Sequence, residues 1–395
     1  GDRRGAPFVT SNCGSVVFTS FYHSTPLIAS ARSGGAVVRC RTSRGSPSTD
    51  IYSPLVDAAG VPKWTVDVLV VCNASNLQME PAIVADGAGG AIIAWSDYRS
   101  VIVGNLDIWA QRLNSAGVPQ WAVNGVVVSG AADIQGSPML VTDGAGGAII
   151  TWGDYRSGNN DIYAQRMTAA GVALWTGNGV AICTLPSSQS GARLVADDAG
   201  GAIVAWTDYR SGIDSDIYAQ RLTATGSPLW TTNGLALCTA TNNQTGTRII
   251  ADGSGGAIVT WQDGRGATLD IYAQRVLASG TPFWTSNGVA VSLAANSQDA
   301  PAIASDGNNG AIIAWQDART GSYDIEAQRI ERFGRLGNPE PTLTTTHDFP
   351  LDQGGKVRIG WSRSYLDTIP TLEIGSYGIW RQVSGALAAR MIASG

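Results

Sequence analysis

Five aspartate–arginine pairs recur at a fixed spacing along this 395-residue chain, and repeated charged side chains of this kind are the first candidates for a catalytic site. Each pair follows a tryptophan in the order Trp-x-Asp-x-Arg. The tryptophans are Trp95, Trp152, Trp206, Trp261 and Trp315. Residues at i, i+2 and i+4 share one face of a strand, so we expect these side chains to meet the next repeat. Because a catalytic centre does not need five copies, we predict a structural role for the tryptophans and for pairs such as Asp154–Arg156 and Asp208–Arg210.

Tyrosines and glutamines near these pairs are candidates for ligand binding. Tyrosine stands between the acid and the base at Tyr98, Tyr155 and Tyr209, and equivalent glutamines occur at Gln135, Gln189 and Gln244. We expect all six on the same face as the loops that carry the pairs. A repeated polar face with tyrosines suits a sugar or an extended polymer, held by several weak contacts at once. The sequence therefore predicts multivalent glycan binding on this Asp/Arg loop face.

Four residues depart most clearly from the repeat, and a single active site in a repeated structure would have to use such departures. They are Glu80, Glu326, His23 and Thr42. A glycosidase would need two carboxylates roughly 5 to 10 Å apart. Glu80 and Glu326 fall in the second and sixth repeats, with the first repeat between them, and so do not suit such a pair. We therefore predict a non-enzymatic protein, with a polysaccharide-active hydrolase as an alternative.

Metal and cofactor sites are not expected. The chain has only two histidines, and the repeated Asp-Gly-x-Gly-Gly turn offers one carboxylate where calcium needs six to eight oxygen ligands. Three cysteines, Cys72, Cys183 and Cys238, each stand eight residues after a tryptophan and are predicted to be small buried residues. Cys13 and Cys40 are a candidate disulfide pair.

The five tryptophans are 57, 54, 55 and 54 residues apart, and this period organises the whole chain. Each copy offers four short segments with strand character, bounded by glycine, asparagine or proline turns. In the fourth copy these segments are 193–196, 202–206, 216–222 and 235–238. About 55 residues in four antiparallel strands are typical of one β-propeller blade.

The strand types predict six blades in residues 1–337, because a closed ring needs each type equally often. A degenerate first copy of the repeat precedes the five copies that carry tryptophan. The last copy lacks a fourth strand, and residues 15–20 have the pattern of one. We therefore expect an all-β, six-bladed propeller in which this amino-terminal strand completes and closes the last blade.

Residues 338–395 no longer follow the repeat. Segments 355–361 and 375–381 resemble the second and third strands of a fibronectin type III sandwich, with tryptophan and tyrosine at core positions. Fewer than 60 residues remain for a fold that needs about 100, so we expect a partial sandwich.

The whole chain resembles secreted or cell-surface bacterial propeller proteins that carry such a module. The resemblance implies an extracellular binding or scaffold protein whose partner is a polysaccharide or a cell-surface protein. An alternative is a protomer of a surface layer or filament, self-assembling through the sandwich. A net charge of −5 argues against nucleic acid, and no apolar run is long enough to insert into a membrane.

Overall fold

The computed structural model is all-β in the residues that it describes, which are 22–30, 36–45, 48–53, 55–56, 69–100, 104–337, 342–348 and 357–362. No helix occurs in these ranges, and so none is present there that could span a membrane. Contacts between Cα atoms divide the chain into two compact units, residues 1–336 and 337–395.

Six sheets follow one another along the described part of the first unit, and we number them in chain order. Sheet 1 contains β1 (Tyr22–Ser30), β2 (Ala36–Gly45), β3 (Ser48–Ser53), β4 (Leu55–Val56) and β5 (Leu69–Cys72). Sheet 2 contains β6 (Gln78–Ala85), β7 (Ala91–Asp97), β8 (Asp107–Leu113) and β9 (Val126–Ser129). Sheet 3 contains β10 (Gln135–Thr142), β11 (Ala148–Asp154), β12 (Asp161–Met167) and β13 (Val180–Cys183).

The remaining sheets of this unit repeat the same plan. Sheet 4 contains β14 (Gln189–Ala196), β15 (Ala202–Asp208), β16 (Asp216–Leu222) and β17 (Leu235–Cys238). Sheet 5 contains β18 (Gln244–Ala251), β19 (Ala257–Asp263), β20 (Asp270–Val276) and β21 (Val289–Ser292). Sheet 6 contains β22 (Gln298–Ser305), β23 (Ala311–Asp317) and β24 (Asp324–Ile330).

Sheets 2 to 5 each consist of four consecutive strands, every strand antiparallel to its chain neighbour. In sheet 3 the first hairpin turns at Asp143, whose Oδ1 accepts hydrogen bonds of 2.8 Å from the backbone N–H groups of Ala145 and Gly147. Gly144 and Gly146 have φ angles of 75° and 83°, which glycine adopts without strain. The repeated Asp-Gly-x-Gly-Gly phrase thus forms tight hairpins, and the prediction of four-stranded antiparallel repeats is confirmed.

A bulge interrupts the first strand of each of sheets 2 to 6. In β10 the register against β11 shifts between Gly136 and Met139, and the other four first strands shift at the equivalent point. One residue of each bulge has a left-handed backbone, with φ between 47° and 69°; these residues are Glu80, Ser137, Gly191, Gly246 and Ala300. Bulges redirect side chains and are common next to binding sites, and non-glycine residues in this conformation carry strain.

Apolar side chains of the second strands fill the space between neighbouring sheets. Trp152 is fully buried and packs with Ala94 and Ile108 of sheet 2. Ile149, on the opposite face of the same strand, packs with Val204 of sheet 4. The tryptophans therefore meet the preceding sheet, and the expectation that they meet the next one is wrong. Because both faces of a middle sheet are buried, alternation along the strand does not reveal which neighbour each face meets.

Sheet 6 has three strands in the part of the chain that the structure describes. Residues 15–20, which the sequence predicts to supply its fourth strand, lie outside the described residues. The six-blade count and the closure of a ring therefore stay predictions. Cys13, one member of the candidate disulfide pair, also lies outside the described residues.

The described part of the second unit consists of two antiparallel strands, β25 (Thr342–Asp348) and β26 (Val357–Ser362). Residues 375–381 lie outside the described residues. The partial fibronectin type III domain, its boundary at residue 338 and assembly through it all stay predictions.

Candidate functional site

Each Trp-x-Asp-x-Arg phrase forms a closed hydrogen-bonded unit where the second strand ends. In sheet 4, Trp206 Nε1 donates to Asp208 Oδ2 over 2.7 Å, and Arg210 donates to both Asp208 carboxylate oxygens over 2.9 and 2.6 Å. The Arg210 guanidinium also lies 3.5 Å from the centroid of the Tyr218 ring and donates to the Asn233 carbonyl. Because both carboxylate oxygens of the buried Asp208 have protein donors, this geometry supports a structural role and leaves no free acid for catalysis.

The Asn-Gly turn before each fourth strand ties this unit to the preceding sheet. The Asn178 carbonyl accepts a hydrogen bond from Arg156, and its Oδ1 accepts one from the backbone N–H of Gly130, just after sheet 2. A Cβ on Gly179 would lie 2.5 Å from the Trp152 ring, so the ring requires glycine here. Equivalent bonds are made by Asn124, Asn233 and Asn287.

Cys72, Cys183 and Cys238 are free thiols buried against these units. Their Sγ atoms lie 3.7 to 4.0 Å from an aspartate Oδ2. Burial raises the pKa of Cys72 to about 11 and those of Cys183 and Cys238 to about 12. A buried thiol that keeps its proton is a poor nucleophile, which fits the predicted role as small core residues.

Three glutamines predicted to contact a ligand, Gln135, Gln189 and Gln244, are fully buried. Each donates its amide to carbonyls of the loop that leads into its own strand; Gln135, for example, donates to the Ala132 carbonyl over 2.9 Å. A side chain with no exposed surface cannot contact a ligand on the outside of the protein. The glutamines hold the loops between sheets, and we leave them out of the proposed contact surface.

A cleft of about 780 Å³ opens over sheets 2, 3 and 4. Tyr98 and Tyr155 both line it, and Tyr155 is 42% exposed. The other lining residues are 79–81, Leu106, Ile134, 136–139, Gly153, Asn160, Ile162 and 190–193. The third predicted tyrosine, Tyr209, lines a second hollow of about 540 Å³ together with Pro186 and Ile213. The structure thus brings two of the three tyrosines into one cleft.

Several departures from the repeat meet in the larger cleft. Glu80, Gly153 and Arg193 all line it. At the position of Gly153 the other sheets have Ser96, Thr207, Gln262 and Gln316. A Cβ on Gly153 would lie 2.5 Å from Asn160 Oδ1, so the missing side chain makes room for this amide. Asn160 itself is partly exposed, and its Oδ1 has no hydrogen-bond partner among the described residues, so the cleft wall contains an amide whose acceptor is unused.

Glu80 is the only carboxylate among the described residues that line the cleft. It occupies the left-handed position of the β6 bulge, and its side chain is exposed. Its Oε2 accepts a 2.7 Å hydrogen bond from the backbone N–H of Ser137 and one of 3.2 Å from the Ser96 hydroxyl. These bonds hold the carboxylate against sheet 3 as a positioned acceptor.

The other departures from the repeat lie elsewhere. Glu326 is in β24, opposite Trp315, and His23 and Thr42 are register partners on β1 and β2. Glu326 is not among the described residues that line the cleft with Glu80. Within the described residues, no group of three or more histidine, cysteine, aspartate or glutamate side chains could hold a metal ion.

Comparison with known proteins finds similar solved structures. No family model matches the sequence, and no curated protein matches it. A protein of unknown function from Dyadobacter fermentans is 12% identical, with a TM-score of 0.47 over 78% of this chain and 94% of that one. Endo-arabinase from Bacteroides thetaiotaomicron is 13% identical, with a TM-score of 0.34 over 66% of this chain and 96% of that one. A thermostable family-43 glycoside hydrolase is 11% identical, with a TM-score of 0.33 over 73% and 94%.

These matches contradict the prediction that the chain is not an enzyme. Two of the three proteins are named as enzymes, an endo-arabinase and a glycoside hydrolase, and the prediction is withdrawn. At identities of 11 to 13% and TM-scores below 0.5, the likeness is limited to a repeated all-β architecture.

Proposed function

We propose that the chain binds a carbohydrate polymer in the cleft over sheets 2, 3 and 4. The observation that carries this proposal is that Tyr98, Tyr155, Glu80 and Asn160 meet in one cleft of about 780 Å³. A sugar ring has apolar C–H faces and a rim of hydroxyl groups. Aromatic rings contact such faces, while carboxylate and amide oxygens accept hydrogen bonds from hydroxyl groups. Mostly apolar clefts with a few polar groups are typical of ligand sites.

The hollow beside Tyr209 supports a polymer rather than a single sugar. Asn159 lines this hollow, and the next residue, Asn160, lines the larger cleft. The two depressions therefore adjoin along the loop before β12. Neighbouring weak sites bind a chain of sugars with avidity, because the second contact is made within the same complex. The proposal includes an extracellular location, where cell-wall and matrix polysaccharides are found.

Replacing Tyr155 tests the proposed binding site. Tyr155→Ala removes an exposed ring, and we expect binding to a soluble polysaccharide to weaken roughly 5- to 10-fold in affinity gel electrophoresis across a glycan panel. Tyr323→Ala is the matched control, because Tyr323 is an exposed tyrosine of sheet 6 outside the cleft. Equal weakening in both variants, or no binding of any polysaccharide by the intact chain, would contradict the proposal.

Glycoside hydrolysis is the second candidate function, and the position of Glu80 favours it. Glycosidases use one carboxyl group as an acid and usually a second as base or nucleophile. Glu80 is held at the cleft wall through Oε2 and is exposed to solvent. A second group would come from the substrate or from residues outside those described as lining the cleft.

Product release separates hydrolysis from binding. If Glu80 is catalytic, the intact chain should release reducing ends from a polysaccharide that it binds. Glu80→Gln should then lower the rate by about 100-fold or more while binding is retained. Release that is unchanged in Glu80→Gln would assign cleavage to other residues. Binding without any release would remove hydrolysis and leave the binding proposal intact.

A further inference from the structure

Arg193 and Arg248 differ from most of the arginines whose side chains the structure describes, because neither forms an ion pair with a described acidic residue. Ten described arginines form an ion pair with an aspartate. Arg193 instead donates to the carbonyl of Ala192, and Arg248 donates to that of Thr247. Among the described residues, no carboxylate oxygen lies within 4.0 Å of either guanidinium.

The two arginines occupy the same position on adjacent first strands. Arg193 in β14 pairs in register with Ala205, and Arg248 in β18 pairs with Thr260, the equivalent residue of the next second strand. Sheets 2, 3 and 6 have Ala82, Met139 and Ala302 at this position, so a positive charge here is not required by the repeat. Arg193 lines the cleft, and both side chains are partly buried.

The positive charge of Arg193 is unfavourable in its surroundings unless an anion lies next to it. Burial lowers the pKa of Arg193, and the positive charge of Arg248 lowers it further. A partly buried cation that lacks a partner costs free energy, and an anion next to it recovers much of that cost. Glu80 also lines the cleft, but its Oε2 is held by Ser96 and Ser137. Among the described residues no carboxylate oxygen lies within 4.0 Å of the Arg193 guanidinium, so this cation has no direct ion-pair partner in the cleft.

We propose that Arg193, with Arg248 beside it, binds an anionic group of the polysaccharide, so that the polymer in the cleft is acidic. This inference rests on the proposed function and adds the class of polymer. A planar guanidinium holds a carboxylate or a sulfate through two parallel N–H···O bonds. Acidic polysaccharides carry these groups on uronic acid or sulfated sugars. Arg193 contacts the anion, and Arg248 strengthens the positive potential around it.

Polygalacturonate and its methyl-esterified form provide a matched pair of probes, because esterification removes the charge and keeps the backbone. We expect the intact chain to bind the charged polymer about tenfold more tightly, and this preference should shrink as salt is added. Arg193→Gln should abolish the preference, measured as the ratio of the two affinities within the same variant. Dextran sulfate against dextran repeats the test for sulfate. The acidic polymer that shows the Arg193-dependent preference identifies the anion.

Arg332→Gln is the matched control. The Arg332 side chain is exposed, lies over the Phe333 ring and is outside the cleft. Its replacement by glutamine changes the net charge by the same amount as Arg193→Gln does. Equal loss of preference in both variants would overturn the inference. Equal binding of charged and neutral polymers by the intact chain would overturn it too and leave the proposed function standing. Failure of the intact chain to bind any polysaccharide of the glycan panel, charged or neutral, would overturn both. Thermal unfolding checks that Arg193→Gln is folded, and Arg193→Lys should retain part of the preference.

Discussion

Sheets 4 and 6 contain the same Trp-x-Asp-x-Arg phrase in different surroundings. The Arg210 side chain of sheet 4 is 21% exposed, lies over Tyr218 and donates to the turn before the fourth strand. The Arg319 side chain of sheet 6 is 39% exposed, and its hydrogen bonds are all to Asp317. Glu326 replaces the tyrosine there, and the described part of sheet 6 has no fourth strand.

The isoleucines of the two sheets show the same contrast. Ile217 is fully buried in β16, whereas Ile325 at the equivalent position of β24 is 74% exposed. Ile203 is fully buried on the second strand of sheet 4, and Ile312 in sheet 6 is 45% exposed. The local sequences are nearly the same, so burial here is supplied by the fourth strand and by the following sheet. Matched substitutions in the two sheets can therefore measure that contribution.

We expect the largest difference in unfolding free energy between variants of Arg210 and Arg319. Arg210→Ala leaves the fully buried Asp208 without its cation and should lower the free energy of unfolding by about 3 to 5 kcal/mol. Arg319→Ala should cost clearly less, because water already reaches its guanidinium. Urea unfolding of both variants provides the measurement, and equal losses would show that the two surroundings are equivalent.

The isoleucines come next. Ile217→Ala should lower the free energy of unfolding by about 2 to 4 kcal/mol, because it opens a cavity among packed residues. Ile325→Ala should change the free energy of unfolding by less than about 0.5 kcal/mol, because this side chain is already exposed. A loss in Ile325→Ala as large as that in Ile217→Ala would mean that a segment outside the described residues covers sheet 6.

We expect the aspartates that begin the third strands of sheets 4 and 6 to differ in how they make stability depend on pH. Burial raises the pKa of Asp216 to about 6, and the charges of Asp214 and Asp208 add to the shift. The folded chain then holds this proton more tightly than the unfolded chain, so ionisation destabilises the fold as pH rises from about 4 to about 6. Asp216→Asn should therefore stabilise by roughly 1 to 3 kcal/mol at pH 7 and by little at pH 4.

Thermal unfolding at the two pH values tests this expectation, with Asp324→Asn as the exposed control in sheet 6. No gain for Asp216→Asn at pH 7 would contradict the raised pKa. Asp306 and Asp317 act in the opposite direction in acid: their hydrogen bonds lower both pKa values, so their contribution to stability is lost as pH falls below about 4.

We expect the smallest effect from deletion of the amino-terminal segment, and this effect should be confined to sheet 6. If residues 15–20 pair with β24, deletion of residues 1–21 should speed amide hydrogen exchange in β24 and leave β16 unchanged. Exchange in β24 that does not respond to the deletion would contradict the predicted closing strand.

Strand positions were largely predictable because they depend on patterns a few residues long. In sheet 4 the predicted segments 216–222 and 235–238 coincide with β16 and β17. The first strand begins earlier than predicted, at Gln189 rather than at residue 193. In the sequence, Gly191 has the pattern of a strand end. In the structure it lies in the bulge with a left-handed backbone, and β14 pairs with β15 on both sides of it.

The candidate site was less predictable. The tyrosines were identified because they repeat, and the same regularity suggested exposed glutamines, although Gln135 and its equivalents are buried. Arg193 was missed because arginines of this chain pair with aspartates in the repeat. Its difference from Met139 at the equivalent position was a visible signal. Whether an arginine has a partner depends on side chains from other strands.

By itself, the sequence determined the hairpins, the Asn-Gly turns and the apolar faces of each strand, because each depends on residues close together in the chain. Only the tertiary structure decided which sheet each face meets and which departures from the repeat share a cleft. Glu80 and Ser137 are 57 residues apart and hydrogen-bonded, and Arg193 lines the same cleft from a third sheet. Such contacts depend on how successive sheets stack, and a local pattern does not encode that stacking.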